Sequence, residues 1–185
     1  MKVGLIISTY NRKEALNLVL ESVKLQTYLP DEIVVCDDGS TQDSTELVKK
    51  YQESFPSILK YVWQEDNGFR AAASRNNGIN ELSEDVEYIV IIDGDMILHP
   101  KFIEDHIRFA DKKCFVQGSR ALISEDKTTQ LLSRGEINSI FNFFSKGISK
   151  RKNTIYLPFF SNLLYKPNKK LKGIRSCNMG FWKKD

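Results

Sequence analysis

Apolar and polar positions along this chain keep two alternating rhythms. Residues 3–8 form a nearly continuous apolar run, the pattern of a strand buried on both faces. Over Lys13–Lys24 the residues Ala15, Leu16, Val19, Leu20 and Val23 recur at three- and four-residue spacing, which predicts an amphipathic helix. Residues 32–36 predict a second strand after the Pro30-Asp31 turn. A helix capped by Ser40 or Thr41 then runs towards Phe55, before Pro56 ends it. Residues 58–63 predict a third strand, 71–82 an alanine-rich helix and 86–92 a fourth strand. A helix opened by Pro100 follows over 101–110, and 114–117 predicts a fifth strand. Beyond Arg134 the periodicity weakens: 137–144 predicts a short aromatic helix, and 146–172 a basic loop broken by Pro158 and Pro167.

The expected fold is therefore α/β, a Rossmann-related, mostly parallel sheet with helices on both faces. In open sheets of this kind ligands bind beyond the carboxyl ends of the strands, and the chemistry-bearing residues fall there. Ser8-Thr9-Tyr10-Asn11-Arg12 follows the first strand and Asp37-Asp38-Gly39-Ser40 the second. Glu65-Asp66-Asn67-Gly68-Phe69-Arg70 follows the third, leading into Ser74-Arg75-Asn76-Asn77-Gly78, and Asp93-Gly94-Asp95 follows the fourth. Asp93 and Asp95, at i and i+2 on an extended chain, point the same way, and Gly94 between them lets the backbone approach a ligand. Two hard carboxylate donors beside a diphosphate suit Mg2+ or Mn2+; a polar turn is the plainer alternative. Asp37 and Asp38, adjacent at a buried strand end, need partners. A carboxylate there can accept the ring N–H of a pyrimidine, or the run is an ordinary Asp-Gly-Ser turn. Arg70 and Arg75 either hold a diphosphate or pair with neighbouring acids. No glycine-rich phosphate loop follows the first strand, so metal and arginine would hold a nucleotide's phosphates. His99 and His106 stand apart from these clusters and read as surface or capping residues.

Composition narrows the picture. With 41% hydrophobic and 28% charged residues, 11 Phe and 7 Tyr, the chain has a globular domain's balance rather than a disordered one's. No apolar run approaches the ~20 residues of a membrane-spanning helix. Cys36, Cys114 and Cys177 are odd in number and widely spaced, which suits neither a disulfide framework nor zinc; a reduced, cytoplasmic chain is expected. The net charge of +3 is split. Residues 1–145 hold 16 basic and 23 acidic side chains, a net −7, whereas residues 146–185 hold 11 basic and one acidic, a net +10. Such asymmetry points to a polyanion or membrane surface.

The four strand-end clusters, in this order, resemble the nucleotide-sugar domain of family-2 glycosyltransferases of the GT-A fold. Arg175-Ser176-Cys177-Asn178-Met179-Gly180-Phe181-Trp182 is similar to the stretch entering the acceptor half in bacterial polysaccharide and chondroitin-type transferases. The likeness implies transfer of a sugar, with inversion, from a UDP-sugar donor to a glycan or lipid-linked acceptor. By that resemblance Thr9, Tyr10 and Arg12 line the nucleoside, Asp38 reads the uracil edge, and Arg70 and Arg75 face the base or diphosphate. Gly68 and Gly94 belong to the same nucleotide site. Asp93 lies at the ribose and sugar, Asp95 ligates Mn2+ or Mg2+, and Asn178, Met179 and Trp182 border donor sugar and acceptor. The family pattern continues into a Gly-rich segment and a Glu-Asp pair carrying the catalytic base. The chain stops at Asp185, so a truncated sequence, or a partner that completes the site, is expected. A donor subdomain over 1–133 and the start of an acceptor-side region over 134–185 follow from this. The alternative is a catalytically incomplete nucleotide-sugar-binding module. A nucleotidyltransferase would want a glycine-rich loop after the first strand, and a phosphatase or receiver domain a hydroxyl residue soon after Asp93. No nucleic-acid partner is expected. The basic 146–172 stretch, interleaved with aromatics, suggests peripheral contact at the inner face of the cell membrane or with an acidic glycan.

Overall fold

The computed structural model describes residues 1–137, 141–160 and 174–185. The predicted apolar runs become parallel strands: β1 (Val3–Thr9), β2 (Glu32–Asp37), β3 (Ile58–Trp63) and β4 (Tyr88–Asp93). With β5 (Phe115–Gln117) and β8 (Asn178–Trp182) they make a six-stranded sheet in the order β3-β2-β1-β4-β8-β5. Only β8 runs against its neighbours, so the sheet is mostly parallel, as expected. Between the strands lie α1 (Lys13–Lys24), α2 (Gln42–Gln52), α3 (Ala71–Glu81) and α4 (Phe102–Arg108). Outside the main sheet, β6 (Leu122–Ile123) pairs antiparallel with β7 (Ile148–Ser149), and α5 (Glu125–Arg134) packs beside α1.

The strands are apolar on both faces because both are covered. Leu5, Ile7, Ile33, Val35, Val90 and Ile92 meet Leu16, Val19 and Leu20 of α1, Val48 of α2 and Ile103 of α4. The alternate residues Ile6, Val34, Cys36, Ile89 and Ile91 face the other way, towards Ile79, Leu82 and Val86. Each such side chain, fully buried, contributes about 1.5–3 kcal/mol. On this second face α3 comes unusually near β2: a Cβ on Gly78 would stand 2.0 Å from Cys36 Sγ. Burial there pushes the Cys36 thiol up to about 12, so it is a packing group rather than a nucleophile.

Three expectations need correction. The segment 178–182, read for its chemistry, is a strand. Met179 and Phe181 pack into the α3-side core, while Trp182 meets Tyr88 edge-on at 5.6 Å and donates its indole N–H to the Ala110 carbonyl at 3.1 Å. The aromatic helix expected over 137–144 is not formed at 141–144, and 138–140 lie outside the described residues. There Asn142 Oδ1 accepts the Phe144 N–H at 3.0 Å, a side-chain turn that competes with helix. The expected 146–172 loop contains β7 and two 3-10 turns, Arg151–Thr154 and Pro158–Phe160; its remainder from 161 lies outside the described residues. At α2 the cap position is Thr41, without a side-chain capping bond, and Ser40 Oγ accepts the Asn11 N–H at 2.7 Å.

Candidate functional site

From β1 the chain adds β2 and β3 on one side, then returns to lay β4 on the other, so the strand order reverses between β1 and β4. This is the position at which open α/β sheets leave a crevice. Its floor is fixed by register: Ser8 lies opposite Asp93, and Thr9 opposite Asp37. Arg75, one turn into α3, closes it. Its Nε donates to Ser8 Oγ and its Nη2 to Asp93 Oδ1, both at 2.8 Å. Asp93 ends β4, and Gly94 and Asp95 turn away from the strand line. The two carboxylates are therefore not side by side on an extended chain. Asp95 pairs instead with Arg12, Nη1 to Oδ2 at 3.0 Å, the two side chains 48% and 54% exposed. Gly94 also has a packing constraint of its own. Its N–H donates to the Ser8 carbonyl at 2.6 Å, and a Cβ would stand 2.6 Å from the same oxygen. The close approach in this structure is to β1.

At the end of β2 both acids are fully paired, as burial demands. Asp37 accepts the N–H groups of Gly39 and Ser40 at 3.1 and 2.7 Å and the Tyr61 hydroxyl at 2.7 Å. Asp38 accepts Gln64 Nε2 at 2.5 Å and the Arg70 N–H at 2.8 Å. Gln64 stands one residue past β3, and its Oε1 accepts Asn77 Nδ2 at 3.0 Å. Tyr10 donates to Asp66 Oδ2 at 2.8 Å, and Asp66 Oδ1 accepts the Gly68 N–H at 3.1 Å. Tyr10, Asp38, Asp66, Gly68 and Phe69 line a cavity of 120 Å³, room for about one planar ring. The Arg70 guanidinium is turned to the Glu65 carbonyl. Thr9 Oγ1 and Arg70 Nε are buried here with no hydrogen-bond partner among the described residues.

The structure thus gathers Thr9, Tyr10, Arg12, Asp38, Gly68, Arg70, Arg75, Asp93, Gly94 and Asp95 at one sheet edge. The 178–182 segment is divided. Asn178 reaches that edge, opposite Ile92, but it is buried, accepting from His106 Nε2 at 2.8 Å and donating to the Ser119 carbonyl at 3.2 Å. Met179 points into the α3-side core, and Trp182 lies opposite Tyr88 at the far end of β4. His106 is a core residue rather than a surface one, and burial pushes its ring down to about 4. His99 Nδ1 accepts the Lys101 N–H at 3.2 Å in the turn before α4, whose cap residue Lys101 has no side-chain capping bond. Gln64, Asp66 and Phe69 join the edge although residue type alone did not single them out; their place just past β3 was the readable signal.

Among the described residues no three His, Cys, Asp or Glu side chains converge on a metal-sized site. Asp95, with Asp93 two residues away, offers hard oxygen atoms to a cation that takes its other ligands from a diphosphate and water, the usual habit of Mg2+ and a fit for Mn2+. From Arg12 and Asp95 a second cavity, of 1420 Å³, extends between α1, α4 and the β5–β6 region to Ile155–Pro158.

Residues 5–172 match glycosyl transferase family 2. Among curated proteins, the hyaluronan synthase of Pasteurella multocida is 33% identical over 106 residues, 57% of this chain and 10% of that protein. The chondroitin synthase of Escherichia coli is 33% identical over 132 residues, 70% of this chain and 19% of that protein. The chain therefore spans only a tenth to a fifth of these relatives. Among solved structures, S. aureus TarS 1–349 in complex with UDP-GlcNAc is similar with a TM-score of 0.51 and 28% identity, over 59% of this chain and 31% of that one. The mannosyltransferase PcManGT from Pyrobaculum calidifontis, in complex with GDP-Man and Mn2+, shares the fold with a TM-score of 0.56 and 22% identity, over 90% of this chain and 47% of that one.

Proposed function

The chain belongs to glycosyl transferase family 2, and from that premise we propose that it transfers a hexosyl group from a UDP-sugar to a glycan or lipid-linked acceptor, with inversion, in cell-envelope polysaccharide or glycoconjugate assembly. The observation that carries the reading is the double arginine–aspartate pairing at the β1/β4 crevice. Arg12 on Asp95 and Arg75 on Asp93 place two cations and two carboxylates where a diphosphate and a divalent cation have matching uses for them. The half-exposed Arg12–Asp95 pair is worth little by itself, ~0–1 kcal/mol, so it exchanges partners readily. In the exchanged state the guanidiniums hold phosphate oxygens and Asp95 faces the cation.

The other roles follow from place. Asp38 accepts the uracil N–H while Gln64 and the Arg70 N–H keep it oriented. Tyr10 and Phe69 flank the ring, and the unpartnered Thr9 Oγ1 and Arg70 Nε find acceptors on the donor. Asp93, steadied by Arg75, meets the ribose and sugar. In the reaction an acceptor oxygen attacks the anomeric carbon, the bond from that carbon to the β-phosphate oxygen breaks, and UDP departs. Preorganised arginines lower the cost of the charge that builds on it. A divalent cation bound with the donor at Asp95 supplies the remaining neutralisation. The base that takes the acceptor proton is assigned to none of the described residues. Three unpaired cysteines support a cytoplasmic setting.

Calorimetry tests this. UDP should bind more tightly with Mn2+ than without, and Asp95→Ala should remove the Mn2+ dependence while leaving metal-free binding in place. Absence of UDP binding under both conditions would sink the reading.

A further inference from the structure

Between Glu136 and Asp185 the sequence holds 11 lysines and arginines and no aspartate or glutamate. The donor site uses none of them. Residues 141–160 of this stretch lie on the outside of the molecule yet are fastened to it. Ile148 is buried in the β6–β7 pair. Asn153 donates to the Arg120 carbonyl at 2.7 Å, and Tyr156 stacks on His99 at 4.7 Å and donates to Asp105 at 3.2 Å. Around these anchors the apolar side chains face water. Phe144 is 85% and Phe159 97% exposed, and Phe143, Ile155 and Leu157 are exposed as well. Lys146, Lys150, Arg151 and Lys152 stand exposed among them, and among the described residues none of the four enters a salt bridge.

Aromatic rings held out in water beside uncompensated cations call for a partner that is both apolar and anionic. A phospholipid surface is both: rings settle at the headgroup boundary while lysines and arginines meet phosphates. An acidic glycan matches the cations, and its sugar faces can stack on the rings, but it offers no apolar phase to the exposed Ile155 and Leu157. A second copy would bring another set of positive charges against this one. We propose that the 141–160 face docks on an anionic phospholipid bilayer. Ile155, Tyr156 and Leu157 also wall the 1420 Å³ cavity that reaches Arg12 and Asp95, so a bilayer docked here lies against the cavity's rim. The proposal is independent of the donor-site reading: loss of UDP binding leaves it standing, and loss of lipid binding leaves the donor site standing.

Vesicle sedimentation with the full chain tests it. Binding to phosphatidylglycerol-containing vesicles, absence of binding to pure phosphatidylcholine, and weakening by high salt are expected. Each cation near such a surface is worth about fivefold in affinity, so Lys146→Gln, Lys150→Gln, Arg151→Gln and Lys152→Gln together should weaken binding ~100-fold or more. Phe144→Ser with Phe159→Ser should weaken it ~10-fold or more. The salt and lipid dependence of the unsubstituted chain is a test that needs no variant. The proposal falls if both vesicle types bind alike or neither binds, or if the charge variant binds as tightly as the parent. It falls equally if a soluble acidic polysaccharide, or a second copy seen by analytical ultracentrifugation, takes this face while vesicles do not.

Discussion

His106 shows how one side chain ties the core to the site edge. Asn178 Nδ2 donates to the Ser119 carbonyl, so its Oδ1 faces the ring and the proton sits on His106 Nε2. The other ring nitrogen is buried with no partner among the described residues, so a second proton would leave an unsolvated charge. Burial therefore lowers the ring from 6.5 to about 4. Because the folded value lies below the unfolded one, the unfolded chain binds the proton first as pH falls. The stability this histidine contributes is whole above pH 6.5 and drains away down to about 4. At 1.36 kcal/mol per unit the loss is about 3 kcal/mol. Urea unfolding at pH 7 and pH 4 should show that excess loss relative to His106→Gln, which keeps an amide donor for Asn178. Proton NMR of the folded chain offers a second reading, and a His106 midpoint above 6 would overturn the argument. At the same scale, the two arginines could be placed near the aspartates from strand order alone. Which arginine takes which aspartate could not, because a guanidinium on its long stem reaches several acids.

Among the elements, α3 against β2 is the sharpest fit. Gly78 is helical, so alanine there should gain about 1 kcal/mol of helix propensity. Against this stands the Cys36 sulfur, 2.0 Å from the added methyl, a clash of the kind that costs about 1–3 kcal/mol or more. Gly78→Ala should therefore destabilise the parent chain by about 0–2 kcal/mol net of the helix gain, and by more where the clash exceeds the usual range. In a Cys36→Ala background the same change should be neutral or stabilising. Thermal or urea unfolding of the parent and the three variants gives the coupling directly, and additive effects would refute the contact. The strands and helices of the first two-thirds were legible because continuous apolar runs and helical spacing are local signals. β8 was not: its five residues include Gly180 and read as a chemical motif, and its partner β4 lies far back in the chain. Trp182 is assigned to the site with Asn178 only through the family resemblance of the 175–182 stretch. In a strand rising about 3.3 Å per residue, four steps carry it ~13 Å away, to the opposite end of the sheet.

At the scale of the whole molecule, the four strand ends are parts of one sheet, so a ligand spanning them reports on the entire fold. Asp38 belongs to the turn after β2, Arg70 and Arg75 to the run after β3, and Asp93 and Asp95 to the end of β4, all within a sheet whose central strands are β2, β1 and β4. A donor held by all of them should raise the melting temperature by mass action. At a hundredfold excess over its dissociation constant the gain is about 2.7 kcal/mol. For a chain of this size that is roughly 5–10 °C. The two ends of the site should separate in the variants. Asp95→Ala should keep the shift given by UDP alone and lose the added shift given by Mn2+. Asp38→Asn, which replaces an acceptor by a donor at the ring edge, should lower both. Scanning fluorimetry with UDP, Mn2+ and the two together distinguishes these patterns. If Asp95→Ala retains the Mn2+ increment, the cation is not held at the end of β4, and the exchange of partners between Arg12 and Asp95 has no role in donor binding.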